Sequence, residues 1–100
     1  MIVVRSVLHV KWNQGGAVVA AFQAAMGAGK VDGVHHWRLL TDLSGRYHTV
    51  TTELVVDSLA AWEDVRGRLF GSAGFQQMMA GTDALIEHGY QEFYTIEAEG

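Results

Sequence analysis

Along the first dozen residues Ile2, Val4, Leu8, Val10 and Trp12 occupy even positions, and Val3, Arg5, Val7, His9 and Lys11 occupy odd ones. This alternation predicts a strand over 2–12, with one face fully buried and the other partly covered. From Gln14 the period changes. Val18, Phe22, Ala25 and Met26 recur at helical spacing and Val19 widens their stripe, so a helix is predicted over 14–26. Asn13 is placed to cap it, and Gly27 and Gly29 to end it. The segments 31–41 and 46–56, rich in Val, Leu and Thr, read as two more strands, joined by the turn-forming Asp42-Leu43-Ser44-Gly45. Asp57 or Ser58 opens a second helix carrying Leu59, Trp62, Val65 and Leu69 on one stripe. Gly71 and Gly74 interrupt it, and a shorter helical piece follows over 75–80. The last strand is predicted over 90–96, introduced by His88-Gly89.

The order β-α-β-β-α-β is the split arrangement of the α+β ferredoxin-like fold. Right-handed crossovers put both helices on one face of a four-stranded antiparallel sheet of order 4-1-3-2. The other face stays open, yet its residues are not cleanly polar. A second copy is expected to cover it, as a two-fold homodimer. The length of 100 residues allows one domain, 1–100, whose core is thin enough to gain from such pairing.

Composition narrows the function classes. Net charge is −4, and residues 53–100 hold nine of the eleven acids. No basic stripe interleaved with aromatics exists, which argues against nucleic acid as a partner. The chain has no Cys, which excludes disulfides, thiolate metal sites and a Cys nucleophile. The apolar start is broken by Arg5, His9 and Lys11 too early for a signal-peptide core. The apolar run 17–22 is far shorter than a membrane span. A cytoplasmic protein with no membrane partner is the expectation.

Three features resemble the dimeric α+β barrel superfamily: a strand at the start of the chain, the stretch Gly45-Arg46-Tyr47-His48-Thr49-Val50 leading to Asp57-Ser58-Leu59-Ala60-Ala61-Trp62, and the ending Leu85-Ile86-Glu87-His88-Gly89-Tyr90-Gln91-Glu92-Phe93-Tyr94. The middle and the end are most similar to NIPSNAP-like members. In that superfamily two sheets pack face to face, and members include haem-degrading and cofactor-free monooxygenases, small isomerases and cyclases. The resemblance implies a small-molecule-binding protein or enzyme, of the cofactor-independent monooxygenase or isomerase kind. The alternative is a non-catalytic dimeric module. Haem-degrading relatives use an Asn on the first strand, a Trp on the second helix and a His beyond it. Trp62 matches the Trp. Asn13 follows the strand, and no His lies between Ala60 and Gly81, so no haem or other cofactor is expected.

The candidate chemistry rests on histidines. The predicted topology gathers His9, His48 and His88 at one end of the sheet, with Arg38 and His36 near them and Tyr90 just after His88. Imidazoles, a guanidinium and a phenol together could bind an anion or move protons near neutral pH. The expected site is a pocket between sheet and helices, with His9, His48 and His88 catalytic and His36, Arg38, Trp62 and Tyr90 holding a small organic ligand; no metal is assigned. The competing reading pairs His9 with His48 across the sheet and leaves His88 in a loop. Trp37, Phe22, Trp62, Tyr90 and Phe93 could line the pocket, or be ordinary packing. The stretch 26–30 faintly resembles a phosphate loop, but it ends a helix, whose C-terminus repels phosphate. The pair Met78-Met79 reads as core or interface.

Overall fold

The computed structural model of the chain describes residues 1–27 and 30–100. The elements are β1 (Ile2–Val10), α1 (Gly15–Met26), β2 (His36–Thr41), β3 (Thr49–Val56), α2 (Leu59–Gly71), α3 (Ala73–Thr82), a single 3₁₀ turn (Asp83–Leu85) and β4 (Ile86–Thr95). The sheet order is β2-β3-β1-β4, antiparallel throughout. This is the predicted ferredoxin-like order.

Strand alternation divides the side chains as the pattern predicts. Val4 and Val10 of β1, with Val50, Leu54 and Val56 of β3, are buried on the helix side of the sheet. They form two clusters instead of one. Val4, Leu54 and Val56 pack against Trp62 and Val65 of α2. Val10 and Val50 pack against Val18 of α1. Between the clusters, at the centre of the same face, stand Ser6 and Thr52, paired across β1 and β3.

The boundaries shift where local hydrogen bonds compete with the strand or helix. Trp12 lies outside β1 and is 73% exposed, because the chain turns there: Gln14 N donates to Lys11 O. Asn13 is the left-handed residue of that turn, with φ 63°. The cap position of α1 falls to Gln14, which makes no side-chain cap bond. Gly27 does follow α1, whereas Gly29 lies outside the described residues. Residues 31–35 are turn and bend, not strand. Arg68 holds this turn by donating to both Asp32 Oδ2 and Asp32 O, each at 3.1 Å. β3 begins three residues later than predicted. Thr49 N donates to Asp42 Oδ1 and its hydroxyl to Arg46 O, closing a loop over 42–48. Ser58, not Asp57, caps α2, accepting from Ala61 N. Ser72 ends α2 and caps α3 at once, donating to Leu69 O and accepting from Phe75 N. α3 therefore starts at Ala73 and outruns the short piece predicted. β4 likewise starts earlier, at Ile86, so His88 and Gly89 are strand residues.

Gly33 supports a prediction. Its φ is 82°, and a Cβ there would stand 2.9 Å from Val65 Cγ2 and 2.7 Å from Arg68 Nη2. The Arg68 tip can swing away, but Val65 is fixed in the core. Gly33→Ala is expected to cost about 1–3 kcal/mol, read as a lower urea midpoint at unchanged slope.

Candidate functional site

The gap between the two clusters is a half-open cavity of about 220 Å³ between sheet and helices. Leu8, Leu39, Leu54 and Trp37 form its floor on the sheet, Phe22 and Met26 come from α1, and Trp62, Leu69 and Phe70 from α2. Phe75, Met78 and Met79 of α3 complete the wall. The helix break at Ser72 lets α3 turn back against α1 and α2, and Met78 is buried there. The two methionines are adaptable wall material. In the floor lies one polar row across three strands. Ser6 on β1 is flanked by Thr52 on β3 and Gln91 on β4, and all three line the cavity. Gln91 Nε2 donates to Ser6 Oγ at 3.0 Å.

Of the residues expected in such a pocket, Trp62, Trp37 and Phe22 are there. The histidines are not. His9 is an odd residue of β1 and faces the open side of the sheet, 9% exposed. It stacks in parallel on His88, paired with it across β4, with ring centroids 5.7 Å apart and an interplanar angle of 4°. Tyr90 joins the pair, 6.1 Å from His9 and 6.4 Å from His88. The structure thus unites His9, His88 and Tyr90, but on the face opposite the cavity. A one-residue change of parity decides this.

His48 stands apart from them. It occupies a left-handed position, φ 58°, just before β3. Its ring meets Trp12 edge-on at 4.6 Å, and its Nε2 accepts from Asn13 N at 3.3 Å. It ties the β1–α1 turn to the β2–β3 loop. The pairing of His9 with His48 across the sheet does not form: His9 faces Thr49.

Arg38 and His36 are also displaced from the expected cluster. Because 31–35 is turn, β2 begins at His36 and Arg38 is only its third residue. Arg38 pairs with Glu53, which pairs with Arg5. That row is four residues from His9 along β1, about 13 Å at strand rise. Arg38 reaches the cavity rim, but its guanidinium is committed to Glu53 on the open face, through Nε at 3.0 Å and through Nη2. His36 lies one step further out, beside Val55. Among the described residues no three His, Cys, Asp or Glu side chains gather as a metal site. Among the described residues no helix is long and apolar enough to cross a membrane.

The open face therefore carries a charged row, Arg38, Glu53, Arg5 and Glu92, between apolar and aromatic rows containing Val3, Val7, Leu40, Tyr90 and Tyr94. Arg5 Nε is buried without a hydrogen-bond partner among the described residues. The Tyr94 hydroxyl donates to Glu92 Oε2 at 2.6 Å; that bond, with burial, raises its pKa. His9 shifts the other way. Burial within the sheet face, then the nearby Arg46 and His88, lower it from 6.5. Its neutral form is favoured by the fold, so the stability it contributes is complete above about 6.5 and is lost as pH falls below that value toward the lowered one. Urea titrations at pH 7.5 and 5.5 are expected to show an acid-dependent loss that shrinks in His9→Gln. An identical loss in both proteins would remove His9 from the account.

Comparison with known proteins supports the fold. No family model and no curated protein matches the sequence. Solved structures do. An uncharacterised NIPSNAP domain protein from Burkholderia xenovorans is 19% identical, with TM-score 0.81 over 98% of this chain and 96% of its own. A NIPSNAP family protein of unknown function from Agrobacterium tumefaciens is 13% identical, with TM-score 0.80 over 93% and 85%. A protein from Nitrosomonas europaea, assigned provisionally to the antibiotic biosynthesis monooxygenases, is 11% identical, with TM-score 0.76 over 98% and 100%. At these identities the likeness is one of fold, and the chain has the ferredoxin-like α+β fold, similar to that of NIPSNAP domain proteins and of antibiotic biosynthesis monooxygenase-like proteins.

Proposed function

We propose that this chain binds a small organic molecule in the cavity between sheet and helices, and does so as a homodimer joined through the open sheet face. The cavity carries the reading. Its 220 Å³ exceeds the roughly 150 Å³ that suffices for benzene in an apolar protein cavity. Its walls are aromatic, aliphatic and thioether side chains from four strands and three helices, which would strip water from an apolar ligand. The monooxygenase-like neighbours favour chemistry on an electron-rich ring held in such a dry site, of the cofactor-independent oxygenase or isomerase kind. The dimer is supported by the open face. Its charged row alternates in sign from Arg38 to Glu92. Under a two-fold axis along the strands it meets its own reverse, so each guanidinium faces a carboxylate.

One observation favours the non-catalytic module. Among the described residues, Arg38 is the only titratable residue lining the cavity, and its guanidinium is turned away. Among the described residues no general base stands ready there.

Native mass spectrometry tests both halves. Twice the chain mass of 10.9 kDa with saturable uptake of the neutral two-ring dye 1-naphthylamine is expected. A bare monomer would overturn the dimer. No dye uptake by a folded dimer would overturn the ligand site and leave the module.

A further inference from the structure

The polar row in the cavity floor breaks the apolar pattern of its strands: Ser6 and Thr52 are half-buried, and Gln91 is exposed. Ser6 interrupts an otherwise apolar series from Ile2 to Val10, Thr52 interrupts Val50 to Val56, and Gln91 sits beside them on β4. Beside the indoles of Trp37 and Trp62, the row gives the cavity its uncharged hydrogen-bonding side chains among the described residues. The row is also internally fixed, since Gln91 Nε2 donates to Ser6 Oγ. That bond uses one donor and one acceptor. The hydroxyl hydrogen of Ser6, the hydroxyl of Thr52 and the Oε1 of Gln91 have no protein partner among the described residues. They supply two hydroxyl donors and an amide acceptor, all neutral.

Charge is excluded at the same place. Among the described residues Arg38 is the only charged side chain at the rim, and Glu53 holds it on the opposite face. A carboxylate or ammonium seated over the row would lose water and gain no counter-charge, which is a heavy cost in an apolar wall.

We infer that the ligand is a neutral, one- to two-ring organic molecule carrying a carbonyl or hydroxyl oxygen, and that Ser6, Thr52 and Gln91 read that oxygen. This rests on the cavity being the ligand site. The ring fills the space among Trp62, Phe75 and Met78. The oxygen accepts from Ser6 or Thr52, and a hydroxyl ligand also donates to Gln91 Oε1. Gln91 and Ser6 act as specificity residues, because an apolar ligand of equal shape leaves their capacity unused.

Calorimetric titration of the whole protein with three near-isosteric compounds tests this: α-methylstyrene, acetophenone and benzoate. Acetophenone is expected to bind about five- to tenfold more tightly than α-methylstyrene, the worth of one hydrogen bond. Benzoate is expected to bind at least about tenfold more weakly than acetophenone. In the triple variant Ser6→Ala, Thr52→Val, Gln91→Met the preference for acetophenone should largely vanish while α-methylstyrene binds within about twofold of wild type. Equal affinity for the two neutral compounds in the wild type, or a preference that survives the triple variant, overturns the role of the row and leaves the cavity as a site. Benzoate binding as tightly as acetophenone overturns the neutrality of the ligand. Dye uptake without binding of any of the three overturns the ligand class. Absence of dye uptake as well places the failure in the cavity itself.

Discussion

Trp62→Ala is expected to lower the unfolding free energy by about 3–5 kcal/mol, the usual cost of deleting a buried large aromatic. The indole is 8% exposed and packs with Val4, Leu54, Val56 and Val65. It belongs to both the core and the cavity wall. Its loss joins a new void to an existing one, so the neighbours have little to collapse onto. Domains of this size have about 5–15 kcal/mol to lose, and the variant is expected to be partly unfolded near body temperature. Leu59 on the same helix is 59% exposed. Leu59→Ala is the control, expected within about 0.5 kcal/mol of wild type. Urea denaturation of both variants decides the matter. A small effect at Trp62 would show that α2 is not anchored through this side chain. The conservative Trp62→Phe should recover part of the stability and keep dye binding, which Trp62→Ala should weaken.

Glu53→Lys is expected to convert the proposed dimer to monomers at micromolar concentration. Glu53 lies at the centre of the open face, its side chain only 13% exposed, between Arg38 and Arg5. Lysine there would align three cations and leave both guanidiniums without their acid. The two arginines are 56% and 41% exposed, so water screens part of the loss. The cost to the isolated fold is expected at about 1–2 kcal/mol, below that of breaking a fully buried pair. The cost to the dimer is larger, because pairing would remove that water and set like charges against each other. Sedimentation velocity on wild type, Glu53→Lys and Glu53→Gln checks it, with Gln expected to be intermediate. A Glu53→Lys variant that remains dimeric would falsify the open face as the interface, and the sign alternation of its charged row would then be a feature of the single chain.

Much of this architecture is legible from local chemistry. The strand order followed from element order and crossover handedness, which need no side-chain detail. The core valines were visible because alternation in β1 and β3 is nearly unbroken. The errors cluster where one hydrogen bond outweighs propensity. Arg68 on Asp32 turns 31–35 out of the strand, and Asp42 on Thr49 delays β3. The second of these lengthened the hairpin loop, set Arg38 opposite Glu53 and so detached it from the histidines.

The candidate site was less legible, for a different reason. Ser6, Thr52 and Gln91 are far apart in the chain, and each alone reads as an unremarkable polar residue. Only the registers Ser6↔Thr52 and Ser6↔Gln91 make them one row. The histidines had the opposite fate. Three of them lie near one end of the sheet, but parity sends His9 and His88 to the open face and a left-handed backbone turns His48 toward Trp12. The sequence by itself determined the class of fold, the helix-side core and the absence of thiol chemistry, because periodicity and composition are local properties. The tertiary structure alone decided which polar groups share a face, because a strand side chain changes sides with every residue and only the paired strand defines which residues lie beside it.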